Sequence, residues 1–298
     1  MIKFPGKTGN RPHIPIMVEE VLRYLKISKV GTYADCTIGY GGHAHYILDQ
    51  LSHNGRLIGI DKDEEAIKFC EKSLSIYHNI QLFNNSYHKI SDILSFSKIE
   101  EVDGMLLDLG LSSAQMDSVS RGFSYKINSD LDMRFDLNQK LKAGSILNSR
   151  SKNEIANIIF KYGEEKRSRS IANNILKMRP IKTVFELIEA IRISTPPKNR
   201  NRTIARVFQA IRIEVNNELH ILENFLSSFC SQLSIGGRII FISFHSLEDR
   251  LVKHALKNLS NQKKIKILTK KPINPSEEEK LTNSRSRSAK LRAAERIS

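Results

Sequence analysis

The sequence predicts an α/β fold in which a parallel sheet is interrupted by an inserted all-helical domain. Three observations support this prediction. Short apolar runs alternate with helical patterns between residues 30 and 109, about 100 residues without a convincing strand follow, and an apolar strand returns near residue 240. Continuous apolar strands separated by helices are typical of a parallel sheet that is covered on both faces. A chain of 298 residues with 40% apolar residues can form one large domain or a domain with an insertion.

The first part of the chain contains four predicted strands and two predicted helices. The strands lie at residues 32–37, 56–61, 80–83 and 102–109. The helices lie at residues 43–51 and 64–74, and the second has Ala66, Phe69 and Cys70 at helical spacing. The fourth strand, VDGMLLDL, is almost continuously apolar, so we expect both of its faces to be buried.

The strand-poor segment predicts a helical insertion after the fourth strand. Its helices are predicted at residues 151–162, 169–178 and 184–193, and a basic loop is predicted at residues 195–202. The α/β pattern returns with a long helix at 215–233, the pair Gly236 and Gly237, and a strand at 238–244. The predicted division is a first part of the sheet domain at residues 1–114, the insertion at 115–213, and a second part with a basic tail at 214–298.

The charge of the chain favours a nucleic acid partner. Lys and Arg number 47 against 32 acidic residues, and the formal net charge is +15. Eleven basic and four acidic residues lie between Asn261 and Ser298, so about half of the surplus is in the tail. Clustered cations displace condensed counterions from nucleic acid, whereas evenly spread charge would indicate solubility alone. The tail also contains the low-complexity run SRSRS at residues 284–288, which predicts a segment that is mobile without a partner.

Cysteine usage and hydropathy argue against several protein classes. Cys36, Cys70 and Cys230 are far apart and form no CxxC pair, so neither a disulfide framework nor a metal site is expected. No apolar run approaches the ~18 residues that a membrane span requires. The first 22 residues have no apolar region typical of a signal peptide. These features predict a reduced, cytoplasmic protein.

A glycine-rich turn predicts a cofactor site between the first strand and the first helix. The segment DCTIGYGGH runs from Asp35 to His43, and such glycines let the backbone approach a ligand beside the free N–H groups of a helix start. Asp61 ends the next strand, where a carboxylate can accept hydrogen bonds from both hydroxyls of an adenosine ribose. The turn, the strand-end acid and the parallel sheet together predict an adenosine-containing cofactor.

The choice of cofactor depends on Asp35. Gly39, Gly41 and Ala44 fit the pattern GxGxxA, so a dinucleotide remains open. A carboxylate just before these glycines would repel a pyrophosphate, whereas it suits the ammonium group of S-adenosylmethionine. We therefore favour the methyl donor. In the alternative reading, Asp35 only caps the turn and His43 is an ordinary polar residue at a helix start.

Two loops at predicted strand ends are candidates for the site that holds the methyl acceptor. Asp108, Ser112 and Ser113 follow the fourth strand, and their oxygens could accept a hydrogen bond from a poorly nucleophilic exocyclic amino group. Asp108 could instead contact the methionine part of the donor. The second loop is SFHSLEDR at residues 243–250, and it contains no GxSxG nucleophile elbow.

Two interpretations of the SFHSLEDR loop remain open. In one, His245 and Ser246 cap the next helix while Glu248, Asp249 and Arg250 form its solvated face. In the other, the loop lines the pocket of the target base.

The sequence resembles a known family over residues 13–296. The matching blocks, in order, are TIGYGGHA, LIGIDKD, GMLLDLGLSSAQMD, RGFSY, LDMRFD, KYGEEK, FQAIRIEVNNEL, GGRIIFISFHSLEDRLVK and SRSAKLRAAER. They resemble the bacterial 16S rRNA (cytosine-N4)-methyltransferases, also called the MraW family. The resemblance implies a class I S-adenosylmethionine-dependent methyltransferase domain, Rossmann-like, with a helical insertion.

The implied substrate is the N4 of a cytidine in the decoding region of 16S rRNA, near the P site, within the small ribosomal subunit. The oligomeric state is left open. The residues that the resemblance assigns to the donor are Gly41, Gly42, His43, Asp61, Tyr87, Asp108 and Gln115. Asp108 is also the candidate for acting on the amino group.

The sequence departs from the family at a few positions. Tyr87 stands where the family often has Phe, Ala44 replaces a Ser, and Ala114 replaces a Pro before Gln115. The D/N-P-P-Y sequence of many amino methyltransferases is absent, so catalytic roles are not transferred from those enzymes. Two functions of other classes remain as alternatives: an NAD-dependent oxidoreductase, and a non-catalytic RNA-binding factor in ribosome assembly.

Overall fold

The structure is a computed structural model that describes residues 15–298. Residues 1–14 lie outside the described residues. They include the first two residues of the family resemblance and most of the first 22 residues, in which no signal peptide was expected. The strands are β1 Thr32–Asp35, β2 Arg56–Asp61, β3 Ile80–Asn84, β4 Val102–Asp108, β5 Leu233–Ser243, β6 Ile265–Ile267 and β7 Lys290–Arg296. The helices are α1 Val18–Leu25, α2 Gly42–Leu48, α3 Glu64–Ser73, α4 Ile90–Phe96, α5 Ser113–Asp117, α6 Ala143–Ser149, α7 Lys152–Gly163, α8 Ser168–Lys177, α9 Val184–Ile193, α10 Arg200–Asn216, α11 Glu218–Ser228, α12 Ser246–Asn261 and α13 Glu277–Thr282.

The seven strands form one sheet in the order β3-β2-β1-β4-β5-β7-β6. The first five strands pair in parallel, which confirms the predicted Rossmann-like class I fold. Strand β7 runs antiparallel between β5 and β6, an arrangement that the sequence did not predict. Both faces of the sheet are covered, because Met105 and Leu107 enter one buried cluster whereas Leu106, between them, enters another.

The inserted helical segment is confirmed. Between β4 and β5 the structure has helices and no strand, apart from an isolated bridge that pairs Asp130 with Thr183. A separate buried cluster runs from Phe123 to Val215, so the insertion has its own core. The division at residues 114/115 and 213/214 stays a prediction, and α10 runs across the second of these boundaries.

One loop prediction and one helix prediction were wrong around residues 195–233. The basic loop is partly helical, because a short 3₁₀ turn at Pro197–Asn199 leads directly into α10. Proline is tolerated at such a helix start. Instead of one long helix, residues 215–233 contain the last two residues of α10, a break, α11, a 3₁₀ turn at Phe229–Gln232 and the first residue of β5. The break lies at Asn217, whose φ of 52° is left-handed, a conformation that Asn tolerates better than most residues.

The strand predicted at residues 238–244 is longer than expected. Strand β5 begins at Leu233 and contains Gly236 and Gly237, with a register shift against β4. Glycine with a positive φ, 83° at Gly236, is typical of such an irregularity.

The prediction of a mobile tail was wrong. The run SRSRS forms a 3₁₀ turn, and Ser286 within it is fully buried. Strand β7 follows and buries Leu291, Ala293 and Ala294 in the sheet. The basic tail is therefore part of the fold. Sequence composition cannot show this, because the tail is held by strand pairing with distant parts of the chain. In the described residues no helix is long and apolar enough to span a membrane.

Candidate functional site

A cavity of about 290 Å³ lies where β1, β2, β4 and β5 end, at their carboxyl side. This edge of a parallel sheet is where such folds bind ligands. Six of the seven residues expected to contact the donor line the cavity: Gly42, His43, Asp61, Tyr87, Asp108 and Gln115. Gly41 does not line it.

The glycine turn is shaped by its backbone. Gly39 and Gly41 have φ of 51° and 77°, which glycine adopts without strain. A Cβ on Gly41 would lie 3.3 Å from the Cys70 sulfur, so this glycine packs the turn against α3. A Cβ on Gly42 would come within 3.1 Å of Pro15. A side chain at Gly41 or Gly42 would therefore crowd its neighbours, whereas Gly39 is set by its positive φ, and Gly39 and Gly42 face the cavity.

Asp61 fastens this turn and faces the cavity. Its Oδ2 accepts a hydrogen bond from the Gly39 N–H at 2.8 Å, and its Oδ1 accepts one from the Asp63 N–H at 2.9 Å. Burial raises the pKa of Asp61 to about 6, although these N–H groups oppose the shift. Each oxygen retains a lone pair, so the carboxylate can still accept hydrogen bonds from two further hydroxyls.

Asp35 lies beneath the cavity and does not line it. Its side chain is 1% exposed and accepts a hydrogen bond from the Thr37 N–H at 3.2 Å. Burial raises the pKa of Asp35 to about 7, and the nearby Asp61 adds to the shift. Direct contact with a donor ammonium group is therefore not available from Asp35, which acts on the cavity only through its charge.

His43 and Asp108 meet at the wall of the cavity. The His43 Nε2–H donates to the Ile16 carbonyl at 2.9 Å, and burial lowers the pKa of His43 to about 4, so the ring is neutral near pH 7. Its Nδ1 lies 3.6 Å from the Asp108 Oδ2. The Asp108 Oδ1 is buried and has no hydrogen-bond partner within residues 15–298. Burial, followed by the charges of Asp35 and Glu248, raises the pKa of Asp108 well above its usual range.

Gln115 holds the loop that follows β4. It forms a capping box with Ser112 at the start of α5, and its Nε2 donates to the Asp63 Oδ2 at 2.8 Å. Arg121 approaches the same Asp63 oxygen at 3.3 Å, so a buried network joins α3 to the insertion. These bonds fix Gln115 against the cavity without the proline that is missing at Ala114.

Tyr87 contributes an aromatic wall. Its ring packs edge-on against Phe225, with centroids 5.5 Å apart, and lines the cavity. Burial raises the pKa of Tyr87 well above 10, so the hydroxyl stays neutral.

The insertion adds cavity residues that the sequence reasoning missed. Arg212, near the end of α10, makes two hydrogen bonds to Glu218 at 2.8 and 2.9 Å, and both residues line the cavity. Phe135, Met116 and Asn216 line it as well. The only signal for them was their place in blocks that match the family, such as FQAIRIEVNNEL.

The SFHSLEDR loop combines features of both interpretations. His245 is the N-cap of α12, as one interpretation held. Glu248 is 3% exposed and lines the cavity, so its assignment to a solvated face was wrong. Asp249 pairs with Arg292 of β7 at 2.7 Å, and Arg250 pairs with Glu164 of the insertion at 3.0 Å.

Comparisons with known proteins agree on one family. The sequence model of the MraW methylase family matches residues 10–297. The protein named ribosomal RNA small subunit methyltransferase H of Thermosipho africanus is 48% identical over 289 residues, covering 96% of this chain and 98% of that protein. Its namesake in Kosmotoga olearia is 47% identical, covering 97% and 98%, and that of Clostridium botulinum is 45% identical, covering 96% and 99%. The chain therefore belongs to the MraW methylase family.

Proposed function

We propose that this chain transfers a methyl group from S-adenosylmethionine to the exocyclic N4 of a cytidine in the decoding region of small-subunit 16S rRNA, near the P site, in the cytoplasm. Membership of a methylase family supports methyl transfer, and the names of the relatives support small-subunit rRNA as the substrate. The observation that carries the proposal is the cavity itself. Its walls include the carboxylate of Asp61 at the end of β2 and Asp108, with its unpartnered oxygen, at the end of β4, and these two strands flank β1.

The cavity residues fit the methyl donor. When bound, S-adenosylmethionine supplies an electrophilic methyl group on a positively charged sulfur. The free lone pairs of Asp61 suit ribose hydroxyls, and the Tyr87 ring offers an aromatic surface for adenine. The pKa of Asp61 is about 6 and that of Asp35 about 7, so both carboxyls can ionise near neutral pH, and their negative charge at one cavity favours a cation over a pyrophosphate. This charge argues against the NAD-dependent alternative.

Asp108 is suited to hold the target amino group. A cytosine turned out of its RNA strand presents an N–H₂ donor, and the buried Asp108 Oδ1 is an acceptor without a partner among the described residues. A hydrogen bond from the amino group to this oxygen favours the pyramidal nitrogen that must align with the methyl group. Thr37 fixes the strand end, because its hydroxyl accepts the Asp108 N–H at 2.7 Å.

The insertion offers a surface for the RNA backbone. Its exposed cations Lys166, Arg169, Lys198 and Arg202, here called the insertion cationic surface, have no ion pair within residues 15–298. Buried Glu165 binds the Thr203 hydroxyl at 3.0 Å and so joins the 164–169 turn to the start of α10. Contacts of this kind with phosphates position RNA without reading its sequence.

Mass spectrometry of rRNA nucleosides tests the proposal. Small subunits that lack the modification, and naked 16S rRNA in parallel, are incubated with the protein and S-adenosylmethionine. We expect N4-methylcytidine at one nucleotide of the decoding region, and a loss of at least about a hundredfold in rate for Asp108→Ala, which removes the acceptor oxygen. Asp103→Ala is the matched control, because Asp103 lies exposed at the other end of β4.

Two outcomes would overturn the proposal. RNA binding without methylation would favour the non-catalytic assembly factor. A methyl group on another base or atom would refute the assigned target.

A further inference from the structure

We infer that Glu248 accepts the proton that the target amino nitrogen loses on methylation, an inference that rests on the proposed function. Glu248 lies in the first turn of α12 and lines the same cavity as Asp108. The register of the sheet explains their proximity, because Asp108 at the end of β4 is paired with Ile242 near the end of β5. The two loops therefore leave the sheet side by side, each with one carboxyl in the cavity.

Glu248 is held rigidly in place. Its Oε2 accepts hydrogen bonds from the Phe244 N–H at 2.9 Å and from the His245 N–H at 3.4 Å. Its Oε1 lies 3.1 Å from the His245 Nε2. Because the His245 Nδ1 accepts the Glu248 N–H at 3.3 Å, the ring carries its proton on Nε2, which lies near that oxygen but forms no hydrogen bond among the described residues. A second lone pair on Oε1 remains for a proton from the cavity side.

The groups around Glu248 favour its charged form. Burial alone would raise the pKa of Glu248, but His245 and Arg212 outweigh it and lower the pKa below the usual range. The neighbouring Asp108 shifts in the opposite direction. Two carboxyls whose pKa values are pushed apart in one site are typical of a division between a base and a neutral hydrogen-bonding partner. The titratable and charged groups that face Glu248 are His245, Arg212 with its partner Glu218, Asp108 and Tyr87.

The chemistry balances with Glu248 as the base. The N4–carbon bond forms as the carbon–sulfur bond breaks, and the sulfur keeps the bonding electron pair. The nitrogen then bears a positive charge and two hydrogens. The lone pair that it shared with the ring has become the new nitrogen–carbon bond, so the nitrogen is a strong acid. A carboxylate of low basicity is therefore sufficient to take one of these protons. The proton passes to Glu248 Oε1, which leaves neutral N4-methylcytidine and a neutral carboxyl in the cavity.

The first test compares Glu248→Gln with Glu223→Gln in single-turnover methylation. Glutamine preserves the size of the side chain and an acceptor oxygen but cannot take a proton. Glu223 is exposed on α11, two residues after Ile221 of the cavity wall, so it controls for the same chemical change. We expect Glu248→Gln to be about 10²–10⁴-fold slower, with donor and RNA affinities within about twofold of wild type. A rate within about threefold of wild type would overturn the inference.

A second pair of measurements does not depend on the glutamine variant. In His245→Asn the new side chain still caps α12, but it removes the ring nitrogen near Glu248 Oε1. We expect the acid limb of the wild-type pH–rate profile to move to higher pH in this variant. Formate is expected to restore part of the rate of Glu248→Ala. An unmoved acid limb together with no formate rescue would exclude Glu248 as the base.

Thermal unfolding provides a readout without activity. Because the folded pKa of Glu248 is lowered, its charge stabilises the fold above about pH 4.5, and this contribution is lost as the pH falls. The stability difference between wild type and Glu248→Gln is expected to shrink from pH 6 to pH 4. A constant difference would show that folding does not lower the pKa of Glu248, and a difference that changes in favour of wild type toward pH 4 would show that Glu248 is neutral in the folded protein. If wild type itself makes no N4-methylcytidine, the proposed function fails. If wild type and Glu248→Gln are equally active, only the role of Glu248 fails.

Discussion

Raising the pH from 5 to 7 is expected to strengthen the binding of S-adenosylmethionine. The donor carries a positive sulfur, and two buried carboxyls of the site ionise in this range. The pKa of Asp61 is about 6 and that of Asp35 about 7, both raised by burial. A bound cation stabilises the ionised carboxylates, so binding releases protons and the affinity rises with pH.

The size of the effect follows from these values. Asp61 is about one-tenth ionised at pH 5 and about nine-tenths ionised at pH 7, so its ionisation alone strengthens binding about tenfold. If Asp35 must ionise as well, its ionisation strengthens binding by a further factor of about fifty, and the total change in affinity reaches several hundredfold. The range stops at pH 7 because the α-amino group of the donor titrates near 8.

Isothermal titration calorimetry measures both the affinity and the released protons. Titrations at pH 6 in two buffers of different ionisation enthalpy are expected to show about half a proton or more released per donor bound. S-adenosylhomocysteine is the matched control, because it shares every titrating group but has a neutral sulfur. Its affinity is expected to change less with pH, because Asp61 also accepts its ribose hydroxyls but the neutral sulfur adds no attraction to the ionised carboxylates. An S-adenosylmethionine affinity that is constant within about twofold, or equal slopes for both ligands, would refute the reasoning.

Three further predictions concern stability and RNA binding. Asp61 and Asp35 bind protons more tightly in the folded state, so their contribution to stability is lost as the pH rises from about 4 through 6 and 7. For Asp61 the loss is about 3 kcal/mol. Calorimetric unfolding of the free protein should show this loss, and the same measurement with donor bound should show a smaller one. Gly122→Ala is expected to lower the free energy of unfolding by several kcal/mol, because the φ of Gly122 is 68° and a Cβ would lie 2.4 Å from the Asp130 carbonyl oxygen. Gly236→Ala is the control, because a Cβ there would meet nothing within 4 Å, and it should cost only about 1–2 kcal/mol. Urea unfolding measures both. Arg169→Ala is expected to reduce the slope of log affinity for rRNA against log salt by about 1, and an unchanged slope in a binding titration would remove it from the RNA surface.

Local patterns were enough to predict the parallel strands of the sheet and the glycine turn. Strand β4 is a continuous apolar run, and Asp61 at the end of β2 is a carboxylate that packing alone does not explain. Both signals lie within a few neighbouring residues, where side-chain period and glycine conformation act directly. The same holds for the helices of the insertion, of which α9 begins and ends where predicted.

The features that sequence reasoning missed depend on contacts between distant segments. Arg212 enters the cavity because α10 ends there, and Glu248 is buried because Arg212 and His245 stabilise its charge. The charged strand β7 resembles a tail in composition, yet it pairs with β5 over six residue pairs from Arg238↔Glu295 to Ser243↔Lys290. The break at Asn217 is set by a single left-handed residue. None of these features produces a periodic pattern of side chains in the nearby sequence, so none could be predicted from it.

The structure of the protein with S-adenosylhomocysteine bound tests the central claim most directly. The account predicts that both ribose hydroxyls lie within hydrogen-bond distance of the Asp61 carboxylate, the adenine lies against Tyr87, and the sulfur lies on the side of Asp108. A ligand bound elsewhere, or bound in the cavity with its ribose away from Asp61 and its sulfur away from Asp108, would contradict it.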